Sequence, residues 1–171
     1  MTTLYRNVFI AFCTTIIFAA CSQQRHGSFW NTLPDPVGVV NDFENIYTRA
    51  EETSLDSLIK SMQSRADVEV AIVTLDTLST SSENFDDLTL HIAKTWGVGE
   101  KGKNNGILIA ISKGYRKMRI QNGLGTEKRM TNEETKKIVD QHFIPSFKTG
   151  EYYQGTVDGL NAILVLLRQR P

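Results

Sequence analysis

The spacing of apolar residues predicts a helix, a strand and a second helix between residues 48 and 96. Thr48 and Glu51 form a capping-box pair, and apolar residues follow at helical spacing, so a helix is expected from about 49 to 65. The run 68–75 is β-branched and mostly apolar, which is typical of a buried strand. Asn84 then caps a second helix, whose inner face carries Phe85, Leu88, Ile92 and Trp96.

The remaining pattern predicts two strands followed by two helices. Residues 107–111 are a continuous apolar run and residues 116–121 alternate, so the short link between them predicts an antiparallel hairpin. Thr131 opens a second capping box, and the helix that it starts should reach a break near Pro145. A last helix is expected over about 154–168, with an apolar stripe of Val157, Leu160, Leu164 and Leu167.

This α-β-α-β-β-α-α order predicts an α/β fold, a three-layer sandwich in which a small mixed sheet carries helices on both faces. The first two strands, joined through a helix, form a right-handed parallel crossover, and the third strand returns antiparallel to the second. The second strand begins at the glycine-rich loop 97–106, and the third ends at 121–127. The two segments must therefore lie together at one end of the sheet, where we expect any functional site.

The first 20 residues have the pattern of a lipoprotein signal peptide. Arg6 is their only charge, the run 7–18 is nearly all apolar, and Ala19-Ala20 supplies small residues for cleavage. The apolar run is shorter than the roughly 18 residues that a membrane span requires. The sequence Phe-Ala-Ala-Cys ending at Cys21 resembles a bacterial lipobox and implies a lipid on Cys21. The alternative is a differently processed signal, in which Cys21 is an ordinary residue.

With that processing, residues 21–38 form a lipidated cysteine and a proline-containing tether, and residues 39–171 form one domain. Cys13 and Cys21 are the only cysteines, so the mature domain would have no disulfide and no thiolate metal site. The chain has 19 basic and 19 acidic residues, a balance that argues against nucleic acid as a partner. The predicted location is the cell envelope, lipid-anchored to a membrane and facing the periplasm.

The loop from Gly97 to Gly106 carries most of the candidate chemistry. Gly97, Gly102 and Lys103 match the spacing of a phosphate loop. A phosphate loop follows a strand and opens a helix, whereas this loop follows a helix and opens a strand, so no nucleotide is expected. Two interpretations stay open. The loop is either a glycine-rich turn or a loop that binds a metal ion or a small anion. For a metal ion, Asn104, Asn105, Glu100 and Glu127 offer the oxygen ligands that hard cations such as calcium take.

The two loops together predict a glycine-lined binding rim, formed by Gly97, Gly99, Gly102, Gly106, Gly123 and Gly125. The chain contains no nucleophile elbow, no zinc-protease helix motif and no Cys-x-x-Cys pair. Its three histidines, His26, His91 and His142, are scattered along the sequence. We therefore predict no catalytic residue.

Four segments together resemble the TPM domain family. They are Val40-Asn41-Asp42-Phe43, the loop from Trp96 to Gly106, the stretch from Arg116 to Gly125, and the stretch from Ile144 to Gly155 with its Tyr152-Tyr153 pair. The resemblance covers about residues 39 to 167 and implies an α/β sandwich around a small mixed sheet. It also implies that Asp42 matches the acidic residue of the family's Val-Asn-Asp motif, and it adds Asp42 to Asn104, Asn105 and Glu127 as a candidate cation ligand.

The resemblance implies two kinds of function. Members of the family include thylakoid proteins linked to photosystem II repair, one with reported acid phosphatase activity, and a modulator of acetylcholine-gated channels; many bacterial members are membrane-attached, and some bind calcium or magnesium. This chain has Asn104 and Gln121 where many members are acidic, which weakens attraction for a divalent cation and removes candidates for proton transfer. We favour a lipid-anchored accessory domain that assists a membrane-protein complex over a metal-dependent acid phosphatase acting through Asp42.

Overall fold

A mixed β-sheet forms the centre of the molecule. The computed structural model describes Trp30 and residues 33–170, so the predicted signal peptide and Cys21 lie outside the described residues. Within them the sheet has the order β1-β2-β3-β4, where the strands are Val40–Asp42, Glu69–Thr74, Gly106–Ser112 and Lys117–Asn122. The first three strands run parallel and β4 pairs antiparallel with β3, which confirms the predicted crossover and hairpin.

The helices follow the predicted order, and a short helix, Leu124–Glu127, is added after β4. They are α1 (Arg49–Ala66), α2 (Phe85–Thr95), α3 (Leu124–Glu127), α4 (Asn132–Ile138), a π-helical turn (Val139–Phe143), α5 (Ile144–Lys148) and α6 (Tyr152–Arg168). Both predicted capping boxes are present, at the starts of α1 and α4. No helix within the described ranges is long and apolar enough to cross a membrane.

Side chains of the strands point alternately into two hydrophobic cores, one on each face of the sheet. Ile72 and Ile109 belong to the core that α1 and α6 cover, whereas Val73, Leu108 and Ala110 belong to the core that α2 covers. The central strand β3 is buried at every position, as expected of a strand covered on both faces. The predicted α/β sandwich with helices on both faces is therefore confirmed.

The structure also differs from the predicted elements at β1 and near Pro145. The strand β1 was not predicted from periodicity, because three residues are too few to show it. The helix expected to break near Pro145 instead continues through the π-helical turn into α5. Pro145 lies in the first turn of α5, directly after Ile144, whose amide donates to the carbonyl oxygen of Val139. Its missing N–H removes one hydrogen bond from the continuous helix without ending it.

The end of the tether contacts the α2 layer. The ring of Trp30 stacks on His91, with the ring centroids 5.0 Å apart. The indole N–H of Trp96 donates to the carbonyl oxygen of Pro34 at 3.0 Å. Trp30 therefore packs on the domain.

Candidate functional site

The two glycine loops lie together at the end of the sheet where β3 begins. The amide of Gly123 donates to the carbonyl oxygen of Gly106 at 2.8 Å, and the amide of Gly125 donates to that of Asn104 at 2.9 Å. The predicted meeting of segments 97–106 and 121–127 is therefore confirmed. That prediction followed from the topology alone. Since β4 runs antiparallel to β3, the end of β4 lies beside the start of β3.

Contact between backbone segments explains several of the rim glycines. A Cβ atom on Gly106 would lie 2.0 Å from the carbonyl oxygen of Val98, and one on Gly125 would lie 2.1 Å from that of Lys103. Gly123 is equally close to the backbone, whereas Gly97, Gly99 and Gly102 have positive φ angles of 63°, 109° and 93°. The rim is thus built from backbone segments that touch one another, and glycine is what lets them approach.

Two polar side chains of the rim, those of Asn105 and Lys103, form hydrogen bonds and ion pairs with neighbouring residues. The side chain of Asn105 accepts a hydrogen bond from the amide of Glu100 at 2.8 Å and donates to the carbonyl oxygen of Asp67 at 3.0 Å. Lys103 forms ion pairs with Asp67 and Glu100, at 3.0 and 2.8 Å. The amide oxygen that Asn105 would offer a cation therefore already holds the loop closed.

The other two candidate cation ligands of the rim lie in a shallow cleft of about 460 Å³. Asn104 and Glu127 line this cleft together with Lys103 and Lys128. One carboxylate beside lysine side chains gives a cation little electrostatic attraction. This cleft does not have the several oxygen ligands that calcium takes in proteins.

Asp42 lies at the opposite end of the sheet from the rim. It pairs in register with Thr74 at the end of β2, whereas Gly106 pairs with Glu69 at the start of β2, about 17 Å away. The four candidate ligands Asp42, Asn104, Asn105 and Glu127 therefore do not form one site. Among the described residues, no three His, Cys, Asp or Glu side chains lie close enough together to hold a metal ion. These residues do not fit a calcium or magnesium centre.

Asp42 instead joins three segments of the chain. Its Oδ1 accepts a hydrogen bond from the Thr74 hydroxyl at 2.6 Å, and its Oδ2 accepts one from the Tyr47 amide at 2.8 Å. The Thr74 hydroxyl oxygen in turn accepts from the amide of Glu44 at 2.8 Å. Asp42 thus fixes the loop between β1 and α1 against the end of β2.

Replacing Asp42 with alanine should lower the free energy of unfolding by about 1–2 kcal/mol, because two hydrogen bonds to a carboxylate are lost. The measurement is urea unfolding followed by circular dichroism. Asp42→Asn keeps the shape and one acceptor oxygen, so it should lose less. If Asp42→Ala were as stable as the parent, the structural role of this carboxylate would be refuted.

The end of the sheet that holds Asp42 carries groups that the sequence did not single out. The Glu44 carboxylate accepts hydrogen bonds from the amides of Lys113 and Gly114, at 2.7 and 3.2 Å. Burial raises the pKa of Glu44, and those backbone bonds offset part of the effect. Beside this turn lies a cavity of about 480 Å³, whose lining includes Ser112, Lys113, Arg116, Lys117, Lys148 and Tyr152.

Several solved structures are similar to this fold, and three of them come from different bacteria. The N-terminal domain of a protein from P. gingivalis is 29% identical, with a TM-score of 0.68 over 77% of this chain and 82% of that chain. A protein from Bizionia argentinensis is 20% identical, with a TM-score of 0.63 over 74% of this chain and 85% of that one. The N-terminal domain of a protein from Corynebacterium glutamicum is 14% identical, with a TM-score of 0.58 over 77% of this chain and 82% of that one.

The similarity to the proteins from Bizionia argentinensis and Corynebacterium glutamicum shows the fold alone. The protein from P. gingivalis is similar in sequence as well. Among curated proteins, none matches the chain. The sequence profile of the TPM domain matches residues 40–165, a span that includes all four strands and most of α6. The resemblance seen in the motifs is therefore confirmed, and the chain belongs to the TPM domain family.

Proposed function

We propose that this protein is a lipid-anchored accessory domain of the cell envelope, which faces the periplasm and binds a membrane-protein complex. The lipobox sequence ending at Cys21 supports the anchor. The observation that carries the accessory role is the placement of Asp42, the candidate phosphatase carboxylate. Both of its oxygens accept hydrogen bonds within the domain, and it lies at the opposite end of the sheet from the glycine loops.

The tether supports a definite orientation of the anchored domain. Trp30 follows Cys21 by nine residues, which reach at most about 30 Å when fully extended. Trp30 also stacks on His91 of α2. An acyl chain on Cys21 would therefore hold the α2 layer near the membrane, and α1 and α6, on the other face of the sheet, would point towards a partner.

The test of the anchor is a comparison of two cysteine variants in cells. Cys21→Ser should abolish incorporation of a labelled fatty acid and move the protein from the membrane fraction to the soluble fraction, since the acyl chains would be the anchor. Cys13→Ser is the matched control, because Cys13 lies in the predicted leader. Full labelling of the Cys21→Ser variant would contradict the proposal.

The accessory role has its own test. Cross-linking in native membranes should recover the same membrane-protein complex with the intact protein in repeated experiments, and Cys21→Ser should recover much less of it. The competing activity is assayed on the same protein with a phosphomonoester, with and without calcium or magnesium. Turnover that Asp42→Ala abolishes, in a variant shown to be folded, would replace the accessory role by an acid phosphatase.

A further inference from the structure

A partly enclosed cavity lies between the β3–β4 turn and the α5–α6 turn. Its volume of about 480 Å³ falls within the range typical of small-molecule sites. Ser112 and the β3–β4 turn line one side, and Ile144, Phe147 and Tyr152 line the apolar side. The rings of Phe147 and Tyr152 are in contact, with centroids 4.9 Å apart. The cavity therefore combines a polar wall with an aromatic one.

The polar wall is positively charged. Lys113, Arg116 and Lys148 line the cavity, and none of them forms an ion pair with another described residue. Lys117 contributes its stem, because its ammonium group donates to the carbonyl oxygen of Ser82 at 2.6 Å. No described carboxylate lines the cavity. Three like charges around one concave surface create a positive potential that attracts anions.

The carboxylate of Glu44 lies against the β3–β4 turn that lines the cavity. Both of its oxygens already accept hydrogen bonds from the amides of Lys113 and Gly114. Burial raises the pKa of Tyr152, the Glu44 charge adds to this increase, and Arg116 opposes it. The charges of Glu44 and Arg116 therefore both reach Tyr152, which lines the apolar side of the cavity.

The tight turn between β3 and β4 places Arg116 beside the cavity. Four described residues other than glycine have positive φ angles: Asn45, Asp67, Asn104 and Arg116. Asparagine and aspartate tolerate this conformation, whereas arginine rarely adopts it. At Arg116, φ is 51°, and its amide donates to the carbonyl oxygen of Lys113 at 3.2 Å. Arg116 is the last residue of the tight turn that joins β3 to β4, where hairpin loops often contain a left-handed residue, and it lines the cavity.

We propose that this cavity binds an amphiphilic anion, a carboxylate or phosphate group joined to an apolar chain or ring. The oxyanion accepts hydrogen bonds from the Arg116 guanidinium and from the ammonium groups of Lys113 and Lys148. The apolar part packs on Phe147 and Tyr152. The source is either a soluble organic acid or the headgroup of an anionic lipid. The proposal concerns binding only, and it holds whether or not Cys21 carries a lipid.

The test is a calorimetric titration of the full-length chain in phosphatidylcholine nanodiscs with 3-phenylpropionate. One saturable site is expected, and Arg116→Gln/Lys148→Gln should weaken binding about tenfold or more, because two of the three free cations are removed. Lys101→Gln/Lys128→Gln removes the same charge from the glycine rim at the opposite end of the sheet. This matched control should change affinity by no more than about twofold, since screening limits the reach of distant charges.

Two further ligands and a change of lipid complete the test. Acetate and 3-phenylpropanol should bind much more weakly than 3-phenylpropionate, since each has only one half of the recognised chemistry. Equal binding of the alcohol, equal weakening by both double variants, or no saturable binding would overturn the proposal. Phosphatidylglycerol in the nanodisc separates the two sources. Competition with 3-phenylpropionate identifies a lipid headgroup, and unchanged binding of 3-phenylpropionate identifies a soluble acid.

Discussion

Replacing Gly106 with alanine should destabilise the protein by about 3 kcal/mol, at the upper end of the usual effect of overpacking a core. The new Cβ would lie 2.0 Å from the carbonyl oxygen of Val98 and 2.5 Å from its carbonyl carbon. Both are backbone atoms, so no side chain can rotate to relieve the contact. The rim would have to open at the start of β3, and the 2.8 Å hydrogen bond from Gly123 to Gly106 would be strained or lost.

Urea unfolding followed by circular dichroism measures this loss, and Gly38→Ala is its control. A Cβ atom on Gly38 would meet no atom within 4 Å, and Gly38 has no positive φ angle. That substitution should change the free energy of unfolding by no more than about 0.5 kcal/mol. If both variants were equally stable, the rim glycines would not be required by close backbone packing, and ligand binding would become the better explanation for them.

The fold was predictable where local patterns are long. Helix α1 has a capping box and four buried residues at helical spacing, and it was predicted to within one residue at its end. The strands β2 and β3 are β-branched or apolar runs, and each was found within one residue of its expected bounds. The parallel crossover then followed from the handedness rule. By contrast, β1 owes its existence to pairing with β2, some 30 residues away, which no local pattern shows.

The grouping of the four candidate ligands was predicted wrongly because it depends on contacts between segments that are far apart in the sequence. Without β1, nothing in the sequence placed Asp42 at the carboxyl end of the sheet, so it was grouped with Asn104, Asn105 and Glu127 at the other end. The basic cavity was missed for a similar reason. Its cations come from the β3–β4 turn and from Lys148, about 30 residues later. Only tertiary packing, in which α5 contacts α6 and α6 contacts α1, brings them together.

Replacing Arg129 with methionine should lower the free energy of unfolding by about 2–3 kcal/mol. The guanidinium of Arg129 donates to the carbonyl oxygens of Ala66, Leu167 and Arg170, at 2.9, 3.0 and 2.7 Å. Ala66 ends α1, Leu167 lies in the last turn of α6, and Arg170 lies two residues beyond that helix. The last carbonyl groups of a helix lack partners within the helix and carry a partial negative charge. Arg129 satisfies both helix ends at once, and methionine keeps the apolar stem while removing every donor.

Two further variants separate the geometry of Arg129 from its charge. Arg129→Lys retains the charge, but one ammonium cannot reproduce the planar guanidinium fork, so it should recover only part of the loss. Arg168→Met removes an exposed charge from the last turn of α6 and should cost no more than about 0.5 kcal/mol. If Arg129→Lys were as stable as the parent in urea unfolding, attraction of a positive charge to the two helix ends would be sufficient. Because the carbonyl groups of two helix ends and of Arg170 converge on this one side chain, we expect the fork to be necessary.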